Sequence, residues 1–104
     1  MNITNQISKE LKIDKWRVTA TIELLDNDST IPFIARYRKE ATGGLDEEQV
    51  RNIKSLLNRL RNLQDRRETI LASIDSQGKL SDDLREQIEK AETRTELEDL
   101  YQPF

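Results

Sequence analysis

The sequence predicts an all-α fold: a small helix-turn-helix-like bundle at the N-terminus, one long central helix and two short C-terminal helices. Three observations carry that prediction. Apolar residues recur at spacings of three and four along most of the chain, the period of a helix face. Only three glycines and two prolines interrupt 104 residues. Apolar β-branched residues never alternate with polar ones over a strand's length, so a sheet has no foothold. Charged residues make up 36% and hydrophobic ones 35%, a balance that suits helices with one buried stripe and one solvated face.

The first helix fits residues 2–11, where Ile3, Ile7 and Leu11 repeat at i, i+4, i+8. Asp14 is placed to cap a second helix, residues 15–26, by accepting from free first-turn amides. That helix has two apolar edges, Val18-Ile22-Leu25 and Trp16-Ala20-Leu24, so it is expected to lie between neighbours. The turn cluster Asn27-Asp28-Ser29-Thr30 follows, and Thr30 can cap a third helix with Pro32 in its first turn. Ile31, Phe33, Ile34 and Tyr37 form its expected apolar side, and it should end near Glu40, before Gly43-Gly44.

Asp46 can cap the long helix, with Glu47 and Glu48 complementing its dipole. Val50, Ile53, Leu56, Leu57, Leu60, Leu63, Ile70, Leu71 and Ile74 fall within an arc of roughly 160°. No breaker appears before Gly78, so the helix covers about 32 residues, or about 48 Å. Gln64, Arg67 and Glu68 interrupt the arc, which divides the helix into two docking halves. Its apolar positions Leu56, Leu63, Ile70 and Ile74 are expected to be exposed on this chain and to seek a partner. Ser81 then caps a fifth helix with Leu84, Ile88 and Ala91 inward, and Thr95 starts a sixth with Leu97, Leu100 and Tyr101. These elements divide the chain into residues 1–45, a helix-turn-helix-like bundle; 46–78, the long amphipathic helix; and 79–104, short helices leading into further domains. Ending on Tyr101-Gln102-Pro103-Phe104 with no polar tail suggests a piece of a longer protein.

The chain contains no cysteine and no histidine, so thiolate chemistry is excluded and the commonest general base and metal ligand are missing. The adjacent acids Asp82-Asp83 and Glu98-Asp99 point about 100° apart on a helix and cannot converge as an acid/base couple. No catalytic residue, metal site or cofactor is expected, and the chain is not expected to be an enzyme. No apolar run reaches membrane-spanning length and the N-terminus lacks a signal-peptide core, so no membrane partner is expected and the cytoplasm is the expected compartment.

The net charge is −3, but its distribution is uneven. Residues 81–104 alone carry a net −5, while from Gln49 to Arg67 six basic residues face the single acid Asp65. Arg36, Arg38 and Lys39 close the third helix, and Arg51, Lys54, Arg59 and Arg61 follow on the long one. These seven are the candidate nucleic-acid-binding residues, because such a surface can neutralise phosphates. Equally, they read as a solvated helix face paired with neighbouring acids. A second candidate is the helix-turn-helix pattern of residues 7–22, whose second helix would offer Lys15, Trp16, Arg17 and Thr21 to a major groove. The alternative there is a three-helix mini-core that reads no DNA; Lys12 stands where the turn commonly has glycine. Gly43-Gly44 is a connecting turn, since Asp46-Glu47-Glu48 would repel a phosphate at the helix start.

The run Ser29-Thr30-Ile31-Pro32-Phe33-Ile34-Ala35-Arg36-Tyr37-Arg38-Lys39-Glu40-Ala41-Thr42-Gly43-Gly44-Leu45-Asp46 closely resembles the signature near the N-terminus of the bacterial Tex family of transcription accessory proteins. The resemblance continues through Ile70-Leu71-Ala72-Ser73-Ile74, Gln77-Gly78-Lys79-Leu80, and Leu97-Glu98-Asp99-Leu100-Tyr101; Phe104 stands where members often have tyrosine. It implies a helical N-terminal region followed, beyond this chain, by an RNase H-like domain, helix-hairpin-helix elements and an OB-fold domain that binds RNA or single-stranded DNA. It also implies similarity to the core of a eukaryotic transcription elongation factor. No catalytic residue of the family maps onto this chain. The expected role is therefore a scaffold or interaction region of a Tex-like protein in transcription. Its expected partners are the downstream domains, RNA or DNA through the full-length protein, and a second copy if the apolar stripe is open. The alternative is a stand-alone nucleic-acid-binding module; a coiled-coil dimer is disfavoured by the break at Gln64 and Arg67.

Overall fold

A computed structural model describes residues 2–104. Among them the chain forms seven helices and no strand: α1 (Ile3–Leu11), α2 (Lys15–Asp26), α3 (Ile31–Tyr37), α4 (Lys39–Thr42), α5 (Glu47–Ser76), α6 (Asp82–Lys90) and α7 (Arg94–Tyr101). The all-α architecture read from periodicity is the one adopted.

Polar caps set most of the helix starts. Asn2, Thr30, Ser81 and Thr93 each accept a first-turn amide of α1, α3, α6 and α7. Thr93, not Thr95, therefore begins the last helix. At α5 the Asp46 carboxylate accepts from the Gln49 N–H at 2.8 Å, and the Gln49 side chain accepts from the Asp46 N–H at 3.0 Å, a reciprocal capping box. Asp14 departs from expectation: it precedes α2 but its side chain makes no cap hydrogen bond. Its main-chain carbonyl instead accepts from Arg17 and Val18. The expected third helix is broken at Arg38, whose φ of −126° ends α3 before the short α4.

The chain packs as two compact units, Met1–Leu60 and Arg61–Phe104. The division falls inside α5, whereas the three sequence segments followed element boundaries. In the first unit Ile7, Val18, Ile34, Leu45, Val50 and Ile53 are fully buried around the N-terminal part of α5. In the second, Ile70 and Ile74 of α5 pack with Ile88 and Leu97.

Two expectations about α5 are overturned here. Leu56 and Leu63 are 8% and 5% exposed and Ile70 and Ile74 are 0% exposed, so the stripe is covered by this chain's own α1–α3 and Leu45 in one unit and by α6 and α7 in the other. Arg67 does not break the stripe but completes it. It stands four residues after Leu63 and three before Ile70, a core position, and is 4% exposed. Its Nε donates to the Ile88 carbonyl at 3.1 Å, its Nη2 to that of Ala91, and its Nη1 to Gln64 Oε1 at 2.7 Å. The carbonyls at the C-terminal end of α6 carry the negative end of that helix's dipole, so a cation is favoured against them.

Candidate nucleic-acid interface

α1 and α2 are joined by a short turn at residues 12–14. Lys12 adopts φ 56°, in the left-handed region, and caps α1 through its N–H to Ser8, so lysine takes the conformation glycine would have eased. Yet α2 holds out only part of the expected groove-facing set: Lys15 and Trp16 are exposed, while Arg17 and Thr21 are not. Arg17 Nε donates to the Thr42 carbonyl at 3.0 Å and Nη2 to that of Gly43 at 3.1 Å. Thr21 is fully buried and donates to the Arg17 carbonyl at 2.8 Å. Trp16 is largely exposed, but its ring edge lies directly over Gly43. Of the four groove-facing candidates, Arg17 and Thr21 are consumed by the fold.

The basic residues sort into three groups. Arg66 and Arg67, part of the sequence's basic run, face inward. Arg66 clasps Glu98 through two hydrogen bonds and lies 5.3 Å from the centre of the Tyr101 ring. That hydrogen bonding raises the Arg66 pKa and holds the Glu98 carboxyl below its ordinary value, against a smaller opposing effect of desolvation. On α5, Arg51 is exposed and pairs with Glu47 at 3.1 Å, and Arg59 approaches Glu10 at 3.6 Å. Such solvated pairs exchange readily with other anions. Lys54 and Arg61 are exposed on the same helix.

The third group surrounds α3, and sequence reasoning missed its main feature. Phe33 and Tyr37, expected on the buried side, are 36% and 56% exposed. Only Ile34 of α3 is fully buried. At about 100° per residue, Tyr37 lies roughly 60° and Phe33 roughly 100° from Ile34 on the same flank, which leaves both rings at the rim. Their centroids are 5.5 Å apart with planes tilted by 47°. The Arg38 guanidinium lies 4.7 Å above the Phe33 ring and donates to the Tyr37 carbonyl at 3.0 Å. Arg36 lies 5.7 Å from the Tyr37 ring centre. Arg36 also lines an open groove of about 350 Å³ with Pro32, Ala35, Lys39 and Glu47, a groove that neither ring lines. The signal in the sequence was the alternation Phe33-x-x-Arg36-Tyr37-Arg38, two aromatics one turn apart, each with an arginine in reach.

Residues 1–75 match the family model described as Tex-like protein N-terminal domain. The chain belongs to the Tex family. It is 57% identical over its whole length to the transcriptional accessory protein Tex of Neisseria gonorrhoeae, of which it covers 14%. It is 52% identical over 98 residues, 94% of the chain, to protein YhgF of Escherichia coli K12, covering 13% of it. It is 33% identical over 98 residues, again 94% of the chain, to S1 RNA-binding domain-containing protein 1 of Homo sapiens, covering 10% of that protein. The chain thus corresponds to the N-terminal domain of a Tex-like transcription accessory protein and spans about one seventh or less of these relatives. The match to the gonococcal Tex relative extends past residue 75, so it takes in α6 and α7. Among the described residues no helix of this Tex domain is long and apolar enough to cross a membrane.

Proposed function

We propose that this Tex domain is a helical interaction region without a chemical step of its own, within a transcription accessory protein that binds RNA or DNA as a whole. One observation carries the reading: the buried polar side chains serve the fold. Thr21, Thr42 and Arg67 are the polar residues in the core of the described chain, and each hydrogen-bonds to backbone nearby. A reactive centre would instead aim such groups into a cleft. The human relative's name describes that protein as containing an RNA-binding domain, which supports nucleic-acid binding at the level of the longer protein. The exposed cations Arg36, Lys39, Arg51, Lys54, Arg59 and Arg61, with the half-buried Arg38, then supply accessory electrostatic contact, and the remaining domains are the principal partner.

The test uses a longer Tex protein carrying this domain, its deletion lacking residues 1–104, and the 104-residue chain added separately. Calorimetry is expected to show the chain binding the deleted protein at micromolar concentration. The deletion should weaken oligonucleotide binding by roughly tenfold or less. No association in trans, together with unchanged transcription by the deleted protein, overturns the proposal. The second reading, groove recognition by α2, is disfavoured by the internal bonds of Arg17 and Thr21.

A further inference from the structure

We infer that Phe33 and Tyr37, with Arg36, Arg38 and Lys39, form a stacking platform for unpaired bases of single-stranded nucleic acid. The inference deepens the nucleic-acid part of the function proposed above by naming the strand class and its contacts. Two aromatic rings one helical turn apart stand exposed with centroids 5.5 Å apart. Each carries an arginine at its edge or face, at 4.7 Å for Phe33 and 5.7 Å for Tyr37. A guanidinium plane stacks on a base as an aromatic ring does, while its charge meets the phosphate beside that base. Lys39 is exposed on the first turn of α4 and adds a third cation on the groove it lines with Arg36. Glu40 is the one acid of the sequence between Thr30 and Gly44, and Glu47 lines the groove with Arg36 and Lys39, so three cations face two acids and the local balance stays positive within an acidic chain.

The chemistry selects the strand. In a duplex both faces of each base are covered by its neighbours, so a ring pair can stack only on unpaired bases. Apolar contact alone would fit a protein helix, but two rings flanked by three cations fit a polyanion with flat apolar faces. An acidic peptide offers the charge without the faces.

The experiment measures anisotropy of a labelled twelve-nucleotide oligo(U), and of a duplex of the same length, against the 104-residue chain at low and moderate salt. Oligo(U) is expected to bind in the micromolar range, weaken as salt rises, and outcompete the duplex. Phe33→Ala with Tyr37→Ala should reduce affinity about tenfold or more, as loss of base stacking does. Arg36→Gln with Arg38→Gln should reduce both affinity and its salt dependence. Lys79→Ala with Arg85→Ala, exposed cations of the second unit, is expected to change affinity by less than about threefold. Because the ring variant removes two partly packed side chains, a photo-crosslink from 4-thiouridine in the probe to wild-type chain provides a second readout, expected at Phe33 or Tyr37. Binding that the ring variant leaves unchanged, crosslinks confined to α5, or competition by oligo-glutamate as strong as by oligo(U) each overturns the platform. Those outcomes leave the trans association with the remaining domains standing, so the two failures are distinguishable.

Discussion

The guanidinium of Arg67 meets two main-chain carbonyls at the C-terminal end of α6 and the side chain of Gln64, while its methylenes fill the stripe between Leu63 and Ile70. Truncation therefore removes hydrogen bonds from a charged donor, strands carbonyls in a dry site, and opens a cavity. Arg67→Ala is expected to destabilise the second unit by about 2–4 kcal/mol, read as a lower urea midpoint in far-UV circular dichroism. Arg67→Lys keeps charge and stem but lacks the planar fork that reaches both carbonyls at once, so it should lose an intermediate amount. A lysine variant as stable as wild type would show that the fork is dispensable. Glu98 gives a different signature. Arg66 donates to it and thereby holds its pKa below the usual carboxylate value. A carboxyl depressed in the folded state contributes stability above its unfolded pKa, about 4.3, and loses it as pH falls through the folded value. Glu98→Gln should thus flatten the fall in melting temperature below about pH 4.3, with its largest cost at neutral pH. An acid limb as steep as wild type's would assign the pH dependence to other carboxylates.

At the scale of elements, the turn joining α4 to α5 is held by its neighbours as much as by its own sequence. Gly43 has φ 77°, and a Cβ there would sit 2.8 Å from both the Trp16 ring and Arg17 Nε. Gly44 has φ 92° but open space around it. Gly44→Ala should cost only the left-handed backbone penalty, about 1–2 kcal/mol. Gly43→Ala should cost roughly a further 1 kcal/mol or more from the clash, and Trp16→Ala should recover part of it in a double-mutant cycle of thermal unfolding. Additive costs would mean the Trp16 ring simply swings aside. The same turn shows where sequence reading succeeds and fails. Local signals located most of the helices: Thr30 and Ser81 cap as their side-chain chemistry dictates, Asp14 does not, and Gly78, at φ 69°, follows the end of α5. The arrival of Arg17 on residues 42 and 43 was not legible, because it depends on residues twenty-five positions apart. Phe33 and Tyr37 were misplaced for a related reason: hydrophobicity assigns a ring to the core, while only the helix's rotation about Ile34 decides whether it arrives there. The candidate cations were visible from the sequence; the exposed rings beside Arg36 and Arg38 were not.

At the scale of the whole molecule, an apolar stripe running most of the length of a 30-residue helix suggested a surface waiting for a partner. What the stripe could not show is that the chain folds back on it from both sides in sequence, α1 to α3 with Leu45 covering Val50 to Leu60 and α6 with α7 covering Leu63 to Ile74. The Arg67 position misled for the same reason, since a charge in an apolar arc reads as a gap until the α6 carbonyls that receive it are known. Burial of the stripe removes the driving force for self-association. Among the described residues the large apolar side chains left exposed are Trp16, Phe33, Tyr37 and Phe104. Two of these are already engaged with arginines, and scattered exposed side chains are ordinary for a monomer. A stable homodimer would need an interface of roughly 1,200 Å² or more, and net negative charge on every copy opposes it further. Sedimentation equilibrium should therefore return a single species near 12.2 kDa at concentrations up to the order of 100 μM. A mass that rises with concentration would require an apolar surface the folded chain does not present. Its persistence after Phe33→Ala with Tyr37→Ala would place that surface away from α3, and its loss would make the aromatic pair a contact between copies instead of a platform for bases.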